Sequence, residues 1–113
     1  MGRRMTRRAG TADSARTMVE GTALSARQKK DLLNRLARIE GQLRGVQKLI
    51  AQAAEPADCD AVAQQMAAAR KALDRSFVQL LTSSIVNQSA NAQDLAESQA
   101  SASRLAALLD KFA

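Results

Sequence analysis

Between Lys29 and Ile50 the chain reads KKDLLNRLARIEGQLRGVQKLI, with apolar residues Leu32, Leu36, Ile39, Leu43, Val46 and Ile50 spaced 4, 3, 4, 3, 4. That spacing is a heptad seam, the pattern of a helix that packs against another helix. Ser25 is placed to cap the helix at its start, and the pattern predicts that it runs to about Gln52. The opposite face carries Lys30, Arg38, Arg44 and Lys48, with Gly41 and Gly45 among them. One face therefore suits a protein partner and the other an anionic one. Each glycine costs about 1 kcal/mol relative to Ala in a helix. Close approach of a backbone or neighbouring helix would justify that cost; tolerance of a mildly poor residue is the alternative.

A second seam follows in Val62, Met66, Ala69, Leu73, Ser76 or Phe77, Leu80 and Ser84, predicting a helix from about Ala57 to Asn87. The connection Ala53 to Asp58, AAEPAD, is short, and Pro56 helps to stop the first helix. A link of this length implies antiparallel neighbours. The polar, weakly helical run Asn87 to Asn91 predicts a break. A third helix is expected from about Asn91 to Lys111, anchored by Leu95, Leu105, Leu108, Leu109 and Phe112, with a soft middle from Ser98 to Ser103. Residues 1–24 show no period and are expected to form a mobile basic tail, leaving 25–113 as one helical domain. The expected fold is all-α with three helices per chain. Two long helices and a short third do not close a core. Two copies would close one, as an antiparallel four-helix bundle formed by the dimer, with the third helix capping its ends or joining dimers into a tetramer.

Composition supports this picture. The 113 residues suffice for one domain and include no Trp or Tyr and only two Phe. A core of Ala and Leu is thin, and small helical chains of this kind gain stability by associating. The formal charge is +6. Residues 1–27 hold six Arg against Asp13 and Glu20, and residues 25–52 hold seven basic groups against Asp31 and Glu40. Such clustering fits a nucleic acid or another polyanion, although a solvated face would look the same. The chain has one cysteine, Cys59, and no histidine. A single thiol builds no disulfide framework, no run of 18 apolar residues is present, and no apolar segment follows the N-terminal arginines. A cytoplasmic protein with no membrane partner is the resulting expectation.

The run Leu33-Asn34-Arg35-Leu36-Ala37-Arg38-Ile39-Glu40-Gly41-Gln42-Leu43-Arg44-Gly45-Val46 resembles the opening helix of the copper-sensitive operon repressor (CsoR) family. That family also includes nickel/cobalt sensors and formaldehyde sensors. Cys59, Asp60, Val62, Gln65, Ala68, Arg70, Ala72 and Leu73 resemble the start of its second helix. The likeness covers about Leu32 to Gln88, with a looser third helix. Ala37 stands where the family is usually basic, and the loop before Cys59 is longer than usual. The resemblance implies a dimer of dimers that represses transcription by binding double-stranded operator DNA on a basic surface of the first two helices, without a helix-turn-helix. Carried over by position, Arg35 and Arg75 match basic residues implicated in DNA binding, with Arg38, Arg44, Arg70 and Lys71 as helpers. Such groups would neutralise phosphates, so binding should weaken steeply with salt. For Arg35 the competing reading is a surface charge at the edge of the seam.

In the metal-sensing relatives, a Cys at the head of the second helix joins a His and a Cys from that helix of the partner chain. The resemblance places Cys59 opposite Ser84 and Gln88 of the partner subunit. Cys59 and Ser84 share a helical stripe but lie 25 residues apart, about 37 Å along a straight helix, so they cannot meet within one chain. Ser and Gln are poor ligands for Cu(I), and zinc, nickel and cobalt fare similarly without any histidine. The expectation is therefore no metal at the usual site, no cofactor, and a small inducer of unknown identity. Cys59 is either a redox or electrophile sensor, its thiolate favoured by the helix N-terminus and opposed by Asp58 and Asp60, or a thiol without duty.

The reading that follows is a repressor released from its operator by an inducer. A helical assembly or adaptor module that has lost ligand sensing is the alternative, and it has no need of Arg35 and Arg75. No enzyme is expected, because the chain lacks His, a Gly-rich phosphate loop and a paired carboxylate site. The Arg3, Arg4, Arg7 and Arg8 cluster is expected either to add nonspecific phosphate contacts or to be merely disordered.

Overall fold

A computed structural model describes Met18, Val19 and residues 21–112. Among the described residues there are three helices and no strand: α1 Ala26–Gln52, α2 Pro56–Asn91 and α3 Leu95–Phe112. The expected tail lies mostly outside the described residues. No helix is long and apolar enough among them to cross a membrane.

The start of α1 is built by its sequence. Ser25 Oγ accepts from the Gln28 backbone N–H at 3.1 Å, and the Gln28 side chain accepts from the Ser25 N–H at 2.8 Å, a reciprocal capping box. Gln28 also donates through Nε2 to the Ser83 carbonyl at 3.2 Å, joining the start of α1 to the later part of α2. Together with a groove that pairs Arg35, Arg38, Ile39 and Gln42 with Ala72 and Arg75, this contact makes the two helices an antiparallel hairpin.

Two expectations for the connections need correction. Pro56 opens α2 at its first turn rather than closing α1, where its missing N–H costs nothing. The break expected at Asn87 to Asn91 is absent, because α2 continues to Asn91. Asn91 Nδ2 donates to the Asn87 carbonyl one turn back at 2.8 Å, and Asn87 is itself engaged elsewhere, so side-chain bonds hold a stretch of weak propensity in helix. The break falls at 92–94. Asp94 then starts α3 by accepting from the Glu97 N–H at 2.8 Å.

The packing divides each seam in two. Leu32, Ile39 and Val46 are buried, facing Ala69 and Ser76 of α2, whereas Leu36, Leu43 and Ile50 stay 39–55% exposed. On α2 the same split leaves Met66, Leu73 and Leu80 40–52% exposed. Helix α3 packs on α2 and not on α1. It buries Leu105, while Leu95, Leu109 and Phe112 remain open, so the anchors expected for it are only partly used. The result is a slab 16 Å thick, little more than one helix diameter, whose buried apolar residues among those described are Leu32, Ile39, Val46, Ala69, Leu81 and Leu105.

Candidate nucleic-acid interface and sensing position

Helical phase decides which side chains share a surface. At about 100° per residue, Arg35 and Gln42 lie about 40° and 60° to one side of Ile39, with Arg38 about 100° round on that same side. Leu36 and Leu43 lie about 60° and 40° to the other side. On α2, Ala72 and Arg75 flank Ser76 on one side, and Leu73, Leu80 and Met66 on the other. Because the helices are antiparallel, like sides coincide. The hairpin therefore has a basic edge and an apolar edge.

The basic edge is an open groove lined by Arg35, Arg38, Ile39, Gln42, Ala72 and Arg75. It continues into a second depression formed by Arg35, Lys71, Asp74, Arg75 and Val78. Arg35 is half-buried, with its stem against the helix pair, while Arg38, Lys71 and Arg75 are exposed. Guanidinium and ammonium groups gathered this way along an open groove can meet a row of phosphates without reorganising the core. Gln42 was not singled out from the sequence; its phase on α1 is the signal that places it here. Arg44 and Arg70 are not brought to this groove. Arg44 reaches over Gly41 on the outer face of α1, and Arg70 lies beside Ala63, Met66 and Ala67 on the apolar flank of α2.

The apolar edge carries a groove lined by Leu32, Leu36, Leu73, Ser76, Phe77 and Leu80. Ser76 is 4% exposed, and its hydroxyl donates to the Ala72 carbonyl at 3.1 Å. That bond lets a polar residue sit in the seam without an unpaired group.

Cys59 lies exposed in the first turns of α2. Beside it, Asp58 accepts from the Ala54 and Glu55 backbone N–H groups, both at 2.9 Å. These two bonds hold the Asp58 carboxyl below its ordinary range, slightly opposed by desolvation. Ser84 is buried, 6% exposed. Gln88 is half-buried, and its Oε1 accepts from Arg104 of α3 at 2.9 Å. A cationic guanidinium thus lies against the side chain that the resemblance aligns with a ligand position. No cluster of three or more His, Cys, Asp or Glu side chains exists among the described residues.

Two positions that sequence reasoning missed tie the ends of the hairpin together. Gln28 bridges the helices, and it was legible as the fourth member of an S-x-x-Q capping pattern. Asn87 donates through Nδ2 to the Thr22 carbonyl at 2.7 Å, and only the fold reveals it.

Compared with known proteins, the chain matches no curated protein and no solved structure. The family model described as metal-sensitive transcriptional repressor matches residues 28–111, which takes in all of the described groove, the cysteine and most of α3. The match extends from the capping residue Gln28 to the end of the third helix, so the chain belongs to the metal-sensitive transcriptional repressor family.

Proposed function

We propose that this protein represses transcription by gripping duplex DNA on the Arg35–Arg75 edge, as a dimer or dimer of dimers joined through the Leu36–Leu73 edge. The family is one of transcriptional repressors and not of enzymes. The observation that carries the reading is the separation of the two edges. Arg35, Arg38, Lys71 and Arg75 converge on one side of the hairpin, and half of each heptad seam lies uncovered on the other. Fully burying a Leu- or Met-sized side chain is worth about 1.5–3 kcal/mol. The six half-exposed seam residues therefore hold roughly 4–9 kcal/mol per chain, and two chains together exceed the lower estimates of what association costs. The further apolar set Ile85, Val86, Leu109 and Phe112, all exposed, supports assembly beyond the dimer.

Sensing does not follow the family's copper chemistry in this reading. Cys59 supplies one soft donor, Ser84 and Gln88 are poor ones, and Gln88 is bonded to Arg104. The inducer is then a small molecule that does not depend on a Cys-His-Cys set. By shifting the assembly between DNA-competent and incompetent shapes, it would release the operator.

The test is binding of the full chain to a duplex taken from its own upstream region, measured across a salt series. The parent should lose affinity steeply as salt rises, and Arg35→Glu with Arg75→Glu should lose at least about a hundredfold, or ~3 kcal/mol. Parent-like binding by that double variant would remove the groove from the interface.

A further inference from the structure

Four residues of α2 share one outward stripe. Lys71, Asp74, Arg75 and Val78 fall at the i, i+3, i+4, i+7 spacing of a single helix face. All four are exposed, and with Arg35 they line the second depression of the basic edge. None of the residues lining it comes from α3, so that helix leaves the face open.

Phosphate binding explains only part of the stripe. Phosphates are met by donors, and Lys71 and Arg75 supply them. An ionised carboxylate accepts only and repels a phosphate, so Asp74 opposes the use that its neighbours serve. It lies in the middle of α2 and so does no capping of the kind that Asp58 does. Val78 is equally out of place. It is 53% exposed and stands about 140–160° round the helix from Leu73 and Leu80. A subunit contact through the seam of those leucines leaves Val78 uncovered.

Donor, acceptor and methyl together match a different surface. In the major groove of a duplex, guanine presents acceptors at O6 and N7, cytosine and adenine present amino donors at N4 and N6, and thymine presents a methyl group. Lys71 and Arg75 suit the first, Asp74 the second and Val78 the third. The minor groove shows no methyl and, at about 6 Å, is too narrow for a helix, whereas the major groove, about 12 Å wide, admits one. From Lys71 to Val78 is about 10.5 Å of helical rise, or about three base-pair steps at roughly 3.4 Å each.

We infer that α2 lies along the major groove with this stripe toward the base edges, and that Asp74 and Val78 determine which sequence is preferred. Asp74 accepts from a cytosine N4 or adenine N6 amine, and Val78 packs against a thymine methyl. Packed helices lie about 8–10 Å apart, so α1 then stands over one wall of the groove, where Arg35 and Arg38 meet the bordering phosphates. Those contacts fix the register, and the α2 stripe supplies the sequence preference. The inference rests on the reading of the Arg35–Arg75 edge as the duplex-binding surface, and adds to it the groove entered and two residues that discriminate.

The experiment selects duplexes from a randomised pool with the full-length parent, with Asp74→Ala and with Val78→Ala, using circular dichroism as the folding control. The parent should enrich one sequence. Asp74→Ala should lose the preference for cytosine or adenine at one position, and Val78→Ala the preference for thymine about two steps away. On the duplex selected by the parent, each variant should lose about five- to a hundredfold in affinity relative to a random duplex. Asp74→Ala should meanwhile hold the random duplex at least as tightly as the parent does, because a repelling charge is gone. Replacing thymine by uracil throughout the selected duplex removes only methyl groups; it should weaken the parent and leave Val78→Ala unchanged. A parent indifferent to uracil overturns the role of Val78. An Asp74→Ala variant that gains equally on both duplexes overturns the role of Asp74 and makes it a solvated surface charge. The Arg35→Glu/Arg75→Glu variant separates this inference from the reading beneath it. Parent-like binding by that variant removes the edge as the duplex-binding surface. Lost binding there, with the parent's sequence preference intact in Asp74→Ala and Val78→Ala, keeps the edge and overturns the stripe.

Discussion

Gly45 sits in the middle of α1, on the outer face of the helix, with nothing within 4 Å of where a Cβ would stand. Its neighbour Gly41 meets only the far end of Arg44, at 4.0 Å. Neither glycine answers a contact with α2 or α3 among the described residues, so close approach by either of those helices within one chain does not account for them. Gly45→Ala should then stabilise the free protein by about 1 kcal/mol, read as a rise in the urea midpoint at unchanged m value; no gain would mean that assembly fills the space. Asp58 gives a prediction in pH. Its carboxyl is held below the usual 3.8 by two backbone N–H groups. A depressed carboxylate adds stability that is fully present above its unfolded pKa and is lost as pH falls through the folded one. Asp58→Asn should therefore lower Tm at neutral pH, with the gap to the parent closing as pH drops below 3.8. A gap constant from pH 7 to pH 3 would show that the carboxylate charge does no capping.

At the scale of elements, the heptads made both long helices legible, and the capping box made the start of α1 legible to the residue. What periodicity does not contain is which half of a seam its own chain covers. Leu32, Ile39 and Val46 alternate with Leu36, Leu43 and Ile50 in an unbroken 4, 3 rhythm, and only the placement of α2 separates the buried set from the exposed one. The end of α2 was misjudged for a different reason. Asn87 and Asn91 are poor helix formers by propensity, but their amides find partners in Thr22 and in the turn below, and tertiary bonding overrides a weak local preference. Among the basic residues, Arg35 and Arg75 converge because their phases match across an antiparallel pair, whereas Arg44 and Arg70 point elsewhere by those same phases. The exposed half-seam is open to a direct test. Leu73, 51% exposed in the single chain, lies at its centre, so Leu73→Asp would place an unpaired carboxylate in the apolar contact of two subunits. Association should weaken by at least about a hundredfold. Sedimentation velocity should show lone subunits at concentrations where the parent is assembled; an unchanged sedimentation coefficient would place the subunit contact elsewhere.

At the scale of the whole molecule, the thin slab bears on where an inducer of the proposed repressor would act. A single layer of helices encloses no deep interior among the described residues, so on the proposed reading an inducer would act at a surface groove, at a surface that a second copy completes, or on the exposed Cys59 thiol. In that setting the partners available to Cys59 decide the chemistry. A Cu(I) ion prefers thiolate and imidazole donors; α2 offers instead a buried serine hydroxyl and a glutamine oxygen already bonded to Arg104. One cysteine per subunit without soft company cannot outcompete a strong Cu(I) chelator. With the full-length protein titrated against bicinchoninate, Cu(I) should stay with the chelator, and operator affinity should be the same with and without the metal. Restoring donors is the informative counterpart. Ser84→His with Gln88→Cys would supply imidazole and thiolate on the stripe that Cys59 shares and remove the acceptor of Arg104. If two subunits bring these stripes together, the variant should hold Cu(I) at least about a thousandfold more tightly than the parent, a gain of ~4 kcal/mol. A parent that itself holds the metal against bicinchoninate would show that this chain senses copper through donors other than these three. A variant that gains nothing would show that Cys59 and the Ser84 turn do not meet across the subunit contact.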